Sequence, residues 1–326
     1  MFYFVEMSVM MLLKKAFKYL IHDTNHFFDA CIGRLNNIFP DKLYLSLRYR
    51  LKNGNWINWN HPRTFSEKIQ WLKVYACKPE YTNYIDKAAV KEIVAKKIGW
   101  QYIIPTIGVW NKVEDIDWNS LPNQFVLKVT DEGGSNGIFI CKDLCSFDKV
   151  NVVKKLTSIM NRKKDKRDAH REHPYEKIHR RIIAEKYIDF ENSSNNKDSS
   201  DLIDYKFFCF NGTPKFCQVI RNRNTKETID FYDMSWNHMP FVGLNPVAKN
   251  GLNPVAKPKN LKKMISICEK LSEEFPFIRV DLYNVDGKIY FGELTFYPAS
   301  GFGVFEPDEW NYKLGDMIKL PLNDRN

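Results

Sequence analysis

An α+β fold, mainly helical at its N-terminal end and strand-rich beyond it, is predicted for this 326-residue sequence by three features. Apolar residues recur at helical spacing before residue 100, and from about residue 125 the pattern alternates with period two. Asn211-Gly212 and Asp286-Gly287 each stand between a pair of alternating runs, the strongest short-range signal of a β-hairpin. The expected organisation is an N-terminal helical region over 1–80, a central unit over 81–190 carrying a glycine-rich turn, and a C-terminal unit over 191–326 carrying an acid-bearing hairpin.

The first twenty-one residues are apolar, but Glu6, Lys14 and Lys15 interrupt the run and no small-residue cleavage site follows. They read as an amphipathic helix over the core, with peripheral membrane contact as the second reading and a cytoplasmic protein, at most at the inner face of the membrane, as the expectation. KLYLSLRYRLKNG (42–54) and TFSEKIQWLKVYA (64–76) are helical, the latter through Phe65, Ile69 and Leu72, with Thr64 or Ser66 as N-cap. IDKAAVKEIVAKKIG (85–99) reads as one further helix closed by Gly99. FVLKVTDEGGSNGIFICKD (125–143) is a hairpin around glycines, and IIAEKYI (182–188) is a strand. Between them NRKKDKRDAHREHPYEKIHRR (161–181) reads as a solvated helix and loop, or else as a surface for anions or polysaccharide. ENSSNNKDSS (191–200) reads as a polar loop. LIDYKFFCFNGTPKFCQVIRNR (202–223) and FIRVDLYNVDGKIYFGELTF (277–296) are hairpins. GLNPVAK at 243–249 recurs at 251–257, a period too short for a repeat architecture and more consistent with a lengthened loop.

The net charge of +10 admits nucleic acid, anionic lipid and phosphorylated or acidic small molecules as partners. No recognised nucleic-acid-binding motif accompanies it, so nucleic acid is not expected, and the Walker pattern GxxxxGK[ST] is missing. Seven cysteines, an odd number without paired zinc-ligand spacing, are expected as reduced and mostly buried thiols.

Three segments carry candidate chemistry. In FIRVDLY, alternation puts Arg279 and Asp281 on one face, and across the turn Glu293 and Thr295 share a face. Neighbouring buried carboxylates are costly unless a cation neutralises them, which suits Mg²⁺; an Arg279–Glu293 cross-strand ion pair is the equally weighted alternative. Lys128 stands four residues before Glu132-Gly133-Gly134-Ser135-Asn136-Gly137, where glycines free backbone N–H groups to face an anion beside a lysine, as in a flap over phosphate. Ala184-Glu185-Lys186-Tyr187-Ile188 is a strand running into a loop, able to offer backbone groups, an acid and a lysine to an adenine.

In order and spacing, Asp86-Lys87, Lys128 with its glycines, Glu185-Lys186-Tyr187-Ile188, and Arg279, Asp281, Glu293 and Thr295 resemble the ATP-grasp superfamily. TFSEKIQWLK, YIDKAAVKEIV, EGGSNG, REHPYEKIHRRIIAEKYI and DYKFFCFNG bring the resemblance closer to its TupA-like group of teichuronopeptide and polysaccharide biosynthesis, over roughly residues 40 to 310. The resemblance implies two α+β subdomains gripping ATP. It implies nucleotide contacts from Lys87, Lys128, Glu132, Gly133, Gly134, Ser135, Glu185, Lys186, Tyr187, Ile188, Asp204 and Lys206. It places two Mg²⁺ ions at Asp281, Glu293 and Thr295, although Thr295 stands where many superfamily members have Asn. Arg279, Lys128 and Glu293 would act in catalysis. The implied activity is an ATP-dependent carboxylate–amine ligase that forms an amide through an acyl phosphate, releasing ADP and phosphate. Its implied partners are an acidic sugar such as a hexuronate, in capsular or other surface polysaccharide, and an amino acid or amine. A glycosyltransferase is the alternative; an Asp-x-Asp motif would favour it, whereas the aspartates of KKDKRD are separated by two residues.

Overall fold

The computed structural model describes residues 24–134, 136–163, 168–191, 193, 201–222, 225–245 and 249–321. The amphipathic segment expected at the N-terminus, most of the 191–200 loop and some residues of the first GLNPVAK copy lie outside them. Among the described residues no helix is long and apolar enough to cross a membrane.

The described residues open with helices α1 (Thr24–Arg34), α2 (Asp41–Asn53) and α3 (Phe65–Tyr75). Thr64 caps α3 as its sequence predicts: its hydroxyl accepts from Glu67 N, while the Glu67 carboxylate accepts from Thr64 N (3.0 Å). Of the helix expected over 85–99, Ala89–Ile98 forms α5, while Ile85 ends a separate short helix, α4 (Tyr81–Ile85). Asp86 makes the break, because its Oδ1 accepts from the N–H groups of Ala88 and Ala89 and its carboxylate takes the Arg181 guanidinium at 2.9 Å. Gly99, at φ +104°, closes α5.

Strands β1 (Thr106–Trp110), β2 (Phe125–Val129), β3 (Ile138–Cys141) and β4 (Ile182–Lys186) form an antiparallel sheet in the order β1-β4-β2-β3. Helix α6 (Lys149–Met160) covers one face, with Val152, Leu156 and Ile159 packed among Phe125, Leu127, Ile182 and Ala184. By alternation the other face carries Lys128, Ile183 and Glu185.

A second antiparallel sheet has the order β10-β9-β5-β6-β7, from β5 (Asp204–Phe210), β6 (Thr213–Arg221), β7 (Thr228–Asp233), β9 (Phe277–Val285) and β10 (Lys288–Thr295). The short β8 (Val242–Gly243) pairs with β11 (Phe305–Glu306) beyond its edge. Helix α8 (Leu261–Ser272) seals one face of the large sheet with Met264, Ile267, Cys268 and Leu271. The opposite face is divided along its strands. At one end Phe208, Phe210 and Phe277 surround Phe65 of α3, the Phe65 and Phe277 rings 5.0 Å apart edge to face; at the other the same face carries Asp204, Lys206, Arg279 and Asp281. The last helix, α9 (Glu309–Met317), packs on α3. The aromatic half anchors the sheet to the helices and leaves the polar half facing the smaller sheet.

The described part of the basic stretch 161–181 differs from the solvated helix and loop expected. Among its described residues only His173–Glu176 form a short helix, α7, and Arg171, Arg180 and Arg181 work as cross-links. Arg171 is fully buried, donating to Asn36 O and paired with Asp41 at 2.8 Å; Arg180 pairs with Asp131 at 3.0 Å; Arg181 pairs with Asp86. A run of like charges scatters to separate partners once the chain folds, which composition alone does not reveal.

Candidate active site

Between the two sheets lies a cleft of about 410 Å³ lined by Lys87, Lys91, Lys128, Gly134, Glu185, Asp204, Lys206, Arg279, Asp281 and Glu293, with Val90, Ile103, Ile104, Ile138, Ile220, Tyr283 and Phe291 as its apolar walls. Apolar walls with convergent polar groups describe a small-molecule site, and five cations against four carboxylates favour an anionic ligand.

On the smaller sheet, Glu185 is buried between two ammonium groups, Lys128 from β2 and Lys91 from α5, each 2.5 Å away. Burial alone would raise the Glu185 carboxyl, yet the two lysines outweigh it and hold the group below the usual carboxylate range. Lys91 also donates to Ile104 O (2.7 Å) and to the Thr106 hydroxyl (2.9 Å), so it ties α5 to the approach of β1. Lys87 follows the break at Asp86, and its ammonium donates to Glu132 O in the glycine turn. Burial pulls Lys87 below its ordinary value, partly offset by Glu293.

On the larger sheet, Arg279 forks onto Asp281 through Nε and one terminal nitrogen, both at 2.7 Å, and the latter also reaches Glu293 and the Thr295 hydroxyl at 3.0 Å. Lys206, directly across from Asp281 on β5, donates to it as well. Asp281 is thus enclosed by cations, and burial works upward on its carboxyl against the pull of Arg279 and Lys206. Glu293 differs: its side chain is 45% exposed to the cleft. Its enclosure within the cleft opposes ionisation, but Lys206, Arg279 and Lys87 prevail and keep it well below the usual carboxylate range. The two acids meet because β10 holds a bulge. Phe291 pairs with Leu282 and Glu293 with Asp281, leaving Gly292 as the extra residue, where a Cβ would come within 3.0 Å of Asp281 O.

The predicted residues divide accordingly. Lys87, Lys128, Gly134, Glu185, Asp204, Lys206, Arg279, Asp281 and Glu293 line one cleft. Lys186, Tyr187 and Ile188 are not among its lining residues; Lys186 is exposed and donates its backbone N–H to Pro105 O at 2.9 Å. Glu132 turns its carboxylate to Arg162 at 3.0 Å, Gly133 and Thr295 stand outside the lining, and Ser135 lies outside the described residues. Sequence reasoning misses Lys91. Its only signal is the spacing of four from Lys87, which helix-surface lysines share widely.

A family model described as TupA-like ATPgrasp matches residues 67–319, about three quarters of the chain. The chain belongs to the TupA-like ATP-grasp family. The match spans the cleft on both sheets, from α3 to the residues after α9. It agrees with the α+β ATP-grasp fold expected from the sequence, and the structure builds that fold on a four-stranded and a five-stranded antiparallel sheet after a helical N-terminal region. A search of curated proteins finds no match. Among solved structures, D-alanine–D-alanine ligase from Bacillus anthracis is similar at 19% identity and TM-score 0.40, covering 72% of this chain and 66% of that one. D-alanine–D-alanine ligase from Helicobacter pylori is similar at 13% identity and TM-score 0.39, covering 78% and 69%. The ATP-grasp ligase PsnB complexed with minimal precursor, Mg and ADP shows 10% identity and TM-score 0.37, covering 86% and 65%. The chain thus spans less than two thirds of the B. anthracis and PsnB chains.

For this TupA-like chain the fit of a divalent cation rests on the donor set. Among the described residues no group of three or more His, Cys, Asp or Glu side chains is placed to hold a metal. The protein offers two hard carboxylates, Asp281 and Glu293, opposite one another on adjacent strands. That is the provision Mg²⁺ needs when phosphate oxygens complete its shell, so the residues fit. Glu293 is the more accessible of the two. Asp281 has both oxygens engaged by Arg279, and the Thr295 hydroxyl accepts from the same guanidinium.

Proposed function

We propose that the cleft binds ATP and that the chain is an ATP-dependent ligase joining a carboxylate to an amine through an acyl phosphate. The observation that carries the reading is the pair of ionic clusters facing one another from the two sheets, Lys128–Glu185–Lys91 on one and Lys206–Asp281–Arg279–Glu293 on the other, with Lys87 and Gly134 beside them. In this reading Lys87, Lys128 and the backbone at Gly134 receive the phosphates, and the end of the cleft at Glu185 receives the adenine, with Lys186, Tyr187 and Ile188 outside the lining and in reach of it only from the rim. Asp204 and Lys206 serve the ribose or phosphates. Asp281 and Glu293 would hold Mg²⁺, which supplies charge neutralisation for a polyphosphate that the cleft's own cations do not fully balance. Arg279 stabilises charge developing on the phosphoryl group in transfer.

The chemistry follows from the poor reactivity of a carboxylate toward amines. Transfer of the γ-phosphoryl group to a carboxylate oxygen breaks the bond to ADP; attack of the amine on the acyl carbon then releases phosphate and leaves an amide. The residues named contribute position and preorganised charge. The acidic acceptor we favour is a hexuronic acid of a surface polysaccharide, with an amino acid as the amine. Support for the alternative transferase is weak: Asp115 and Asp117, which have Asp-x-Asp spacing, are exposed outside the cleft, with Asp117 Oδ1 accepting from Asn119 N at 3.1 Å.

Incubation with ATP, Mg²⁺, hydroxylamine and galacturonic or glucuronic acid carried on a sugar nucleotide tests the proposal. ADP release that depends on the carboxylate, together with a hydroxamate, is the expected result. Release of a nucleoside diphosphate from a sugar nucleotide without ATP consumption would overturn it.

A further inference from the structure

A second pocket, of about 320 Å³, lies where the loop after α2 meets α3 and α9, and it shares no lining residue with the cleft. We infer that this pocket binds sugar rings of an oligosaccharide. The inference concerns binding without nucleotide, so it stands apart from the ligase reading.

Its first support is the exposure of large rings. Trp56 is 58% exposed and Tyr312 40% exposed, both at the same pocket. Each ring offers an apolar face with a polar edge, suited to the C–H face of a pyranose. Tyr312 is held by Arg63, whose guanidinium lies 5.6 Å from its ring centre, so the ring is backed on one side.

Its second support is the polar surround. Asn53, Asn55, His61 and Asp308 line the pocket with amide, imidazole and carboxylate groups, the mixture of donors and acceptors that sugar hydroxyls require. Asn53 Oδ1 is buried and has no hydrogen-bond partner, leaving an acceptor available for a donor brought by a ligand. A phosphate site would gather cations, yet here the one arginine of the lining, Arg63, stands with the carboxylates of Glu67 and Asp308. An apolar peptide would leave the same amides unpaired on burial.

The third support is rigidity. Glu67 on α3 accepts from the backbone N–H groups of Asn58 (3.0 Å), Arg63 (2.9 Å) and Thr64 (3.0 Å), and Asn58 Oδ1 accepts from His61 N at 3.0 Å. A single buried carboxylate therefore pins the loop that presents Trp56 and Arg63. A site held in shape before binding loses little ordering entropy when a ligand enters.

Calorimetric titration of the intact protein, without ATP, with tetragalacturonate and with maltotetraose provides the test. Saturable binding of at least one is expected, weakened about fivefold or more by Trp56→Ala and by Tyr312→Ala, and unchanged by Lys128→Ala in the cleft. Should Trp56→Ala lower the melting temperature, Asn53→Ala, which removes the unpaired acceptor and leaves the rings in place, is the second variant and should also weaken binding. Binding of neither saccharide, full affinity in the Trp56, Tyr312 and Asn53 variants, or loss confined to Lys128→Ala would each overturn the inference.

Discussion

The Glu185 carboxylate sits 2.5 Å from the Lys128 ammonium, on adjacent strands of one sheet face, and shares its charge with Lys91 at the same distance. The lysine expected to meet phosphate and the acid expected to meet adenine are therefore partners in one buried ionic cluster. A polyphosphate entering the cleft must compete with Glu185 for Lys128, which moderates the affinity that the lysine alone would supply.

Glu185→Gln removes the shared counter-charge from two lysines that are largely enclosed. Loss of one partner from a buried pair destabilises by about 3 kcal/mol. Thermal melts of the nucleotide-free protein should show a clear drop, larger than for Lys128→Ala, in which Glu185 retains Lys91. Equal melting temperatures for wild type and Glu185→Gln would mean that solvent already screens the cluster.

Asp281 and Glu293 should respond differently to the loss of their charge. Glu293→Gln should cut turnover roughly 100-fold or more while leaving the melting temperature close to wild type, because its side chain faces the cleft. Asp281→Asn should lower both, since Arg279 and Lys206 are built around that carboxylate. Circular dichroism with an ADP-release assay separates the cases. A Glu293→Gln enzyme with wild-type kcat would remove the metal assignment.

Much of this site is legible in the sequence, and the omissions have physical causes. The hairpins about Asn211-Gly212 and Asp286-Gly287 form as read, since their turn residues take the left-handed conformation: φ is +47° and +79° in the first, +52° and +95° in the second. Strict alternation brings Arg279 and Asp281 to the cleft but gives no sign of the bulge at Gly292 that seats Glu293 opposite Asp281. The equal choice between ion pair and metal site at this hairpin proves incomplete, because the Arg279–Glu293 pair forms on the same acids that would hold a cation. Lys91 and Arg171 escape notice for a common reason. Each is a charged residue in a basic context, and only tertiary closure shows which ones lose their water.

His170 carries the pH prediction. Burial, with Arg48 and Lys73 nearby, pulls its imidazole down to about 4, and its Nδ1 is buried without a hydrogen-bond partner. An unfolded histidine titrates at about 6.5, so below that value the unfolded chain binds a proton that the native state refuses. The stability tied to the neutral ring is fully present above about pH 6.5 and is lost as pH falls toward about 4. Urea titrations of wild type and His170→Gln across this window should show a shallower acid loss in the variant. Parallel curves would assign the acid sensitivity to carboxylates alone.

The turn leaving β10 supplies the last prediction, because three consecutive residues in it adopt positive φ: Ala299 at +46°, Ser300 at +53° and Gly301 at +64°. For residues with a Cβ this region costs about 1–2 kcal/mol each, so the turn must be held from outside. Helix α3 provides the hold. Gln70 Nε2 donates to Ser300 O (3.0 Å) and Gly301 O (2.9 Å), and the buried Lys73 ammonium donates to Ser300 O (2.7 Å) and His170 O (2.8 Å). A Cβ at Gly301 would lie 2.8 Å from both Gln70 Nε2 and Ile69 Cγ2, striking the group that braces the turn. Gly301→Ala thus adds backbone strain to overpacking and should destabilise by about 2–4 kcal/mol. Ala299→Gly relieves strain at a position of the same hand while loosening the unfolded chain, and should change stability by less than about 1 kcal/mol. Lys73→Met keeps the stem and removes both hydrogen bonds, so it should destabilise by leaving two carbonyl groups without this donor, by about 1–3 kcal/mol. Denaturant unfolding of the three variants tests the brace as a unit. If Gly301→Ala proves as mild as Ala299→Gly, the turn is free to relax away from α3 and the helix does not hold it.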